Sequence, residues 1–290
     1  MSNLLIRLLF YLISLLPFFL LHVLSEFMYI LTYYIIGYRK KIVKENIKNS
    51  FPDIPKSLHL ILVKSYYQHL CDLIVEIIKV PGMTREQLKK RVRINNRELL
   101  DKIYSQNKSV LVTTGHIGNW EWAGSMIGIS SAFKGMAVVK PISNKFIENF
   151  FNKGIRQNFY PTEVINFKST YRALIKHRDK STLTVIAADQ TPTKSEIGYQ
   201  TKFMNQDTGF FVGVEKMAKA LDLAVVYMNT KKVGRSKYEI DLKLITENPK
   251  DTGQFEITKN YISCLERSIL EQPYNWLWSH KRWKHKLASK

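Results

Sequence analysis

The chain's 290 residues carry 44 Lys and Arg against 24 Asp and Glu, a formal net charge of +20, and 45% of them are apolar. A chain of that length and apolar content buries a sizeable core, which excludes a disordered protein, a collagen, a coiled-coil rod or a small disulfide scaffold. Cys71 and Cys264 lie far apart among apolar neighbours, so they frame neither a disulfide scaffold nor a zinc site, and a reducing compartment is expected.

The excess charge is unevenly placed. From Asn3 to Tyr38 the only charged residues are Arg7 and Glu26, which cancel, so an oily amino end precedes a basic body. Leu8 to Ser25 are uncharged throughout, and eighteen residues of helix reach about 27 Å, close to the thickness of a bilayer core. This run predicts one membrane span, with Pro17 as the place for a kink. Phe27 to Tyr38 is also uncharged but short for a second crossing. It suits a tilted extension or an interfacial stretch, and Phe27, Tyr29, Tyr33 and Tyr34 suit an aromatic belt. Arg39, Lys40, Lys41, Lys44 and Lys48 follow, and the positive-inside rule keeps such a flank, with the body behind it, in the cytoplasm. A cleaved signal peptide fits poorly, since charge is heavier after the apolar run than before it and no small-x-small site closes the run. A core helix of a soluble protein is the plainer alternative, disfavoured by the run's length and charged boundary.

In the body, Tyr66, Tyr67, Leu70, Leu73, Ile74, Ile77 and Ile78 recur at three- and four-residue spacing and predict an amphipathic helix that stops before Pro81-Gly82. Beyond it, β-branched runs predict strands at Ser109 to Thr114, Gly135 to Lys140, Leu183 to Asp189, Leu223 to Met228 and Tyr238 to Ile245. Helical patterns fall between them, at Trp120 to Ile129, Asn144 to Asn158, Thr170 to His177 and Phe211 to Leu221. The alternation predicts an α/β fold, a central mixed sheet flanked by helices, behind an amino-terminal membrane-anchoring helix. No repeat or low-complexity linker interrupts it, so residues 1–38 are expected to form the anchor and residues 39–290 a single catalytic domain.

The chemistry concentrates where the strand Val110 to Thr114 runs into Gly115-His116-Ile117-Gly118-Asn119-Trp120-Glu121. A histidine between glycines just beyond a buried strand sits on an open turn that a substrate can approach. Glu121 is five residues on; in a continuous helix the two side chains would diverge by about 140°, but across a turn that enters a helix they can converge. A carboxylate on one ring nitrogen of His116 fixes its tautomer and raises its basicity, leaving the other nitrogen to accept a hydroxyl proton. A capping histidine in an ordinary strand-to-helix turn has the same spacing.

This block resembles the His-x4-Asp/Glu block of the late lipid A biosynthesis acyltransferases, the lauroyl/myristoyl transferases of the lysophospholipid acyltransferase superfamily. Other segments are similar to that family's in the same order: Arg39 to Ile47 with Ser50-Phe51-Pro52-Asp53, Val139-Lys140-Pro141 with Asn144 and Arg156, Ala188-Asp189-Gln190 through Phe203, Gln206, Thr208 and Glu215, and Gln272 to Lys284. The likeness covers nearly the whole chain and departs at one place. Where the family usually has Tyr-Arg-Pro, this chain has Val139-Lys140-Pro141; lysine keeps the charge but loses the planar fork, which Arg156 is placed to replace.

The resemblance implies transfer of a fatty acyl chain from an acyl-carrier-protein thioester to a hydroxyl of a lipid A precursor. His116 would act as general base, Glu121 would hold and polarise it, and Lys140, Arg156 or nearby backbone N–H groups would stabilise the oxyanion. Asn119, Asp189 and Gln190 complete the expected substrate-binding set, with Asp189 and Gln190 behind the reacting groups. For Lys140 and Arg156 a solvated surface charge is the alternative, and for Asp189 a turn cap. No His-Glu-x-x-His, P-loop or dinucleotide fingerprint occurs, so neither metal nor cofactor is expected. The expected partners are an acyl carrier protein, with coenzyme A as the alternative donor form, and an anionic membrane lipid and glycolipid acceptor. No nucleic acid is expected, and the location is the bacterial inner membrane with the catalytic domain facing the cytoplasm. The cationic tail Lys281, Arg282, Lys284, Lys286 and Lys290 suits a lipid headgroup or an acidic carrier. The competing functions are acylation of a lysophospholipid or amino-acid lipid and, from another class, a non-enzymatic basic protein that binds membrane or nucleic acid.

Overall fold

The computed structural model of the chain describes residues 2–285. Eleven α-helices run in chain order among them: α1 Ser2–Leu15, α2 Phe18–Tyr29, α3 Lys40–Ser50, α4 Lys56–Lys79, α5 Arg85–Lys89, α6 Glu98–Ser105, α7 Trp120–Ile129, α8 Lys145–Asn149, α9 Thr170–Lys176, α10 Gly213–Leu221 and α11 Glu256–Glu271. The strands are β1 Val92–Ile94, β2 Val110–Thr114, β3 Lys134–Val139, β4 Glu163–Asn166, β5 Thr182–Ala187, β6 Tyr199–Phe203, β7 Gln206–Phe210, β8 Ala224–Gly234 and β9 Lys237–Thr246. Two of the helices continue in a wider π turn, α2 through Ile30–Ile36 and α8 through Phe150–Arg156.

Seven strands form one sheet in the order β1-β9-β8-β2-β5-β3-β4. Every neighbouring pair is parallel except β8 with β9, an antiparallel hairpin, so the sheet is mixed and helices cover it, as the pattern predicts. All five strands read from the β-branched runs lie in it. The additions are β1 and β4, three and four residues long at the two edges, and a separate β6–β7 hairpin. Runs that short carry too little periodicity to be read from sequence. β2, in the middle, is buried at every residue, with Val112 paired to Val185 on one side and Val226 on the other.

The amino end departs from expectation in its boundaries. Pro17 cannot donate the backbone hydrogen bond a helix interior requires, so the run Leu8 to Ser25 is broken: α1 stops at Leu15 and α2 restarts at Phe18. Among the described residues, the helix long and apolar enough to cross a membrane is Phe18–Ile36, ended by Gly37 in the left-handed conformation at φ 65°. The predicted helix Tyr66 to Ile78 is part of the 24-residue α4, whose buried face also carries His69, Asp72, Glu76 and Lys79. Cys71 and Cys264 are free and buried.

Candidate active site

The turn after β2 is held in place by its own backbone. Gly118 has φ +58°, and a Cβ there would lie 2.8 Å from the Thr230 carbonyl oxygen, so both the conformation and the space call for glycine. The three amides of the turn are all engaged: His116 N–H donates to Asp189 Oδ2 at 2.9 Å, Ile117 N–H to the Gly115 carbonyl at 2.8 Å and Gly118 N–H to the Asn275 carbonyl at 3.0 Å. These three amides are therefore committed to holding the turn. From the far end of the chain, Ile117 forms an antiparallel bridge with Trp276, and Leu277 N–H donates to the His116 carbonyl at 3.1 Å.

His116 Nδ1 lies 2.6 Å from Asp189 Oδ1. The sheet register creates this contact, because Thr114 of β2 pairs with Ala187 of parallel β5, and two further residues along each strand bring His116 opposite Asp189. Asp189 is 3% exposed, and its Oδ2 accepts from both the His116 amide and Trp276 Nε1 at 2.8 Å, which leaves Oδ1 for the imidazole. Burial alone would raise the Asp189 carboxyl; the charge and hydrogen bonds of His116, with Trp276, outweigh it and hold the group well below the usual carboxylate range. Burial alone would likewise lower His116, and Asp189 outweighs it, so the imidazole stands above its ordinary value of 6.5. Nε2 faces the exposed amide of Gln190, 3.2 Å away, and the ring meets Trp120 edge-on at 4.9 Å. Nearby His280 accepts from the Thr191 amide; burial, only partly countered by Asp189, pushes it down to about 4, which keeps it neutral near pH 7.

The expected pairing of Glu121 with His116 is corrected by this geometry. Glu121, buried in the first turn of α7, instead receives both arms of the Arg156 guanidinium, Nε to Oε2 at 3.0 Å and Nη2 to Oε1 at 2.6 Å. A bidentate fork from the end of the α8 segment satisfies both carboxylate oxygens, whereas a single imidazole N–H satisfies one. Glu121 still acts on His116 through its charge, in the direction that raises the imidazole. Asn119 also differs from expectation: it caps α7, accepting from the Trp122 amide at 3.0 Å, and donates to buried Glu76 at 2.8 Å, so its side chain is committed to the fold. Lys140 lies exposed just past the end of β3, where its charge acts on Glu196, and forms no hydrogen bond to the His116 turn.

The structure therefore gathers His116, Asp189 and Gln190 at the carboxyl ends of two adjacent parallel strands, where sites collect in such sheets. Trp276 is the contributor that sequence reading passed over, although its block is among those that resemble the family. A separate cavity of about 510 Å³, lined by residues including His69, Asp72, Lys232 and Arg235, contains none of these side chains.

The family model for the bacterial lipid A biosynthesis acyltransferases matches residues 3–285. The chain belongs to that family. Among curated relatives, it is 20% identical over 249 residues to the lipid A biosynthesis palmitoleoyltransferase of Escherichia coli (strain K12), covering 85% of this chain and 79% of that one. The lipid A biosynthesis acyltransferase of Shigella flexneri is similar to the same degree and over the same shares. As a member of the lipid A biosynthesis acyltransferases the protein is an acyltransferase enzyme, which sets aside the non-enzymatic reading.

One cation of the tail of this acyltransferase is taken into the fold. Arg282 is buried, donating to the Gly209 carbonyl at 2.7 Å with its guanidinium over the Phe210 ring. Lys281 and Lys284 are exposed, and Lys286 and Lys290 lie outside the described residues.

Because the Glu121–Arg156 pair is mostly buried, removing one partner leaves an uncompensated charge. Glu121→Ala is expected to lower stability by about 3 kcal/mol, the low end for such pairs because Arg156 keeps some solvent contact. Urea unfolding measures it, and a change too small to resolve would show that the pair does not hold the α8 segment to α7.

Proposed function

We propose that the enzyme transfers a fatty acyl chain from a carrier-protein thioester to a hydroxyl of a lipid A precursor, with His116 as general base and Asp189 as the group that orients it. The observation that carries this reading is the 2.6 Å contact of His116 Nδ1 with Asp189, which leaves Nε2 toward the exposed Gln190 amide. Asp189 favours the tautomer with the proton on Nδ1 and a lone pair on Nε2. An acceptor hydroxyl that displaces the Gln190 amide gives its proton to Nε2 as its oxygen attacks the thioester carbonyl carbon. The tetrahedral oxyanion then collapses, the C–S bond breaks, and the imidazolium returns the proton to the departing thiolate, yielding ester and thiol. Imidazolium formation is favoured by the same Asp189 charge that raises the ring's basicity. The oxyanion donors are the Gln190 amide and Arg156, with Glu121 serving to aim the guanidinium.

The body works at the cytoplasmic face of the inner membrane in this reading, supported by the exposed Lys41, Lys44 and Lys48 directly after the apolar helix and by the +20 charge, which favours an acidic carrier and anionic lipid. Two measurements test substrate and donor. Mass spectrometry of lipids from a deletion strain is expected to show lipid A short of one acyl chain; intact lipid A with a lysophospholipid accumulating would reassign the acceptor. Purified enzyme offered acyl-carrier protein and acyl-coenzyme A side by side is expected to prefer the former, and the reverse preference would replace the donor.

A further inference from the structure

The way the amino-terminal helices meet the body fixes how they can meet a membrane. Leu21, Ser25, Tyr29 and Tyr33, four residues apart, are the buried positions of the Phe18–Ile36 helix, and they form one stripe packed on α4 and its neighbours from end to end. Charged groups of the body stand all along that stripe. At its start, Arg91 stacks over the Phe18 ring at 3.3 Å, and buried Lys79 donates to the Ser14 and Leu16 carbonyls at 2.7 and 2.9 Å. At its middle, Ser25 donates to Asp72 at 2.7 Å, while Arg235 pairs with both Asp72 and Glu26. At its end, Lys40 donates to the Tyr33 carbonyl at 3.0 Å.

A helix standing across a bilayer would either drag this row of charges through hydrocarbon or shed every one of these contacts, and both are costly. Lying flat requires neither. Phe19, Val23, Phe27, Ile30 and Tyr34 are exposed on the side away from the stripe, Leu8 and Leu12 of α1 are exposed too, and the exposed Lys41, Lys44 and Lys48 that follow suit headgroup phosphates. We infer that residues 2–36 stay docked on the body and lie in the plane of a single lipid leaflet, so that the protein is held at one membrane face and does not cross it. The occupant of the apolar face is an anionic phospholipid leaflet. α1 also packs through Phe10 on Phe150, in the same segment as Arg156, so this placement sets the candidate site beside the leaflet that holds a lipid acceptor.

The inference rests on the membrane attachment proposed above. Full-length protein bearing one added cysteine, Phe19→Cys, Phe27→Cys or Ile35→Cys, is bound to vesicles of phosphatidylethanolamine and phosphatidylglycerol and spin-labelled. Label depth is then read by collision with oxygen and with a water-soluble nickel chelate. All three labels are expected at one shallow depth, about 5–10 Å into the leaflet. A label at the midplane for Phe27→Cys, with the other two shallow, overturns the in-plane placement while leaving attachment and acyl transfer standing. As an independent readout, Ser2→Cys is expected to react with an impermeant maleimide added outside intact vesicles as fast as Lys41→Cys does. Reaction only after detergent is added overturns the placement too. Protein that fails to sediment with vesicles at all refutes the attachment itself, and the in-plane placement with it.

Discussion

Purified His116→Ala enzyme is expected to lose about a thousandfold in kcat, within the range a positioned general base contributes, while its thermal unfolding stays within a few degrees of the parent. The fold survives because the imidazole lies at the edge of the turn, 17% exposed, and Asp189 keeps two of its donors, the residue-116 amide and Trp276. A direct steady-state assay with purified variant and carrier-protein thioester makes the comparison. Activity near the parent level would remove His116 from the mechanism, and a collapsed unfolding transition would show that the residue had been holding the turn.

Asp189→Asn carries the second large effect and discriminates more finely. The carboxylate sets both the tautomer and the basicity of His116, so its replacement by an amide is expected to cost roughly 10²- to 10⁴-fold in kcat/KM. The pH profile supplies the sign. A general base works in its neutral form, so kcat/KM of the free enzyme climbs as pH rises through the His116 value, which Asp189 holds above 6.5. Without that negative charge, burial is the dominant remaining influence and lowers the imidazole, so the ascending limb moves to lower pH even as the plateau falls. A limb that stays where it was would assign the titration to another group. Glu121→Ala is expected to lower activity through the loss of Arg156 placement and to move the same limb to lower pH, since the carboxylate raises His116 by its charge although it makes no bond to the ring.

The pairing of His116 with Asp189 in place of Glu121 shows why local spacing misleads about a site. Five residues separate His116 from Glu121, and nothing in that interval reveals which way α7 carries the glutamate once the helix begins. An arginine 35 residues later, held at the end of a π-helical segment, takes both its oxygens. Asp189 is 73 residues from His116 and becomes its neighbour because β2 and β5 are adjacent and in register. That His116 stands two steps past one β-branched run and that Asp189 closes another was visible in the sequence; the adjacency of the runs was not, since strand order depends on how crossover helices pack.

Much was determined by the sequence alone. β-Branched runs located the five principal strands and three- and four-residue apolar spacing the long helix of the body, the glycine-flanked histidine marked the turn, and the charge-poor first 38 residues marked the apolar end, because composition, periodicity and charge are local properties. Tertiary structure decided which acid serves His116, which residues are structural despite a polar, site-like placement, as Asn119 and Arg282 are, and which face of the Phe18–Ile36 helix the body covers. Each of these depends on contacts between segments tens to hundreds of residues apart, where satisfying buried donors and acceptors selects one partner among several that local spacing leaves equal.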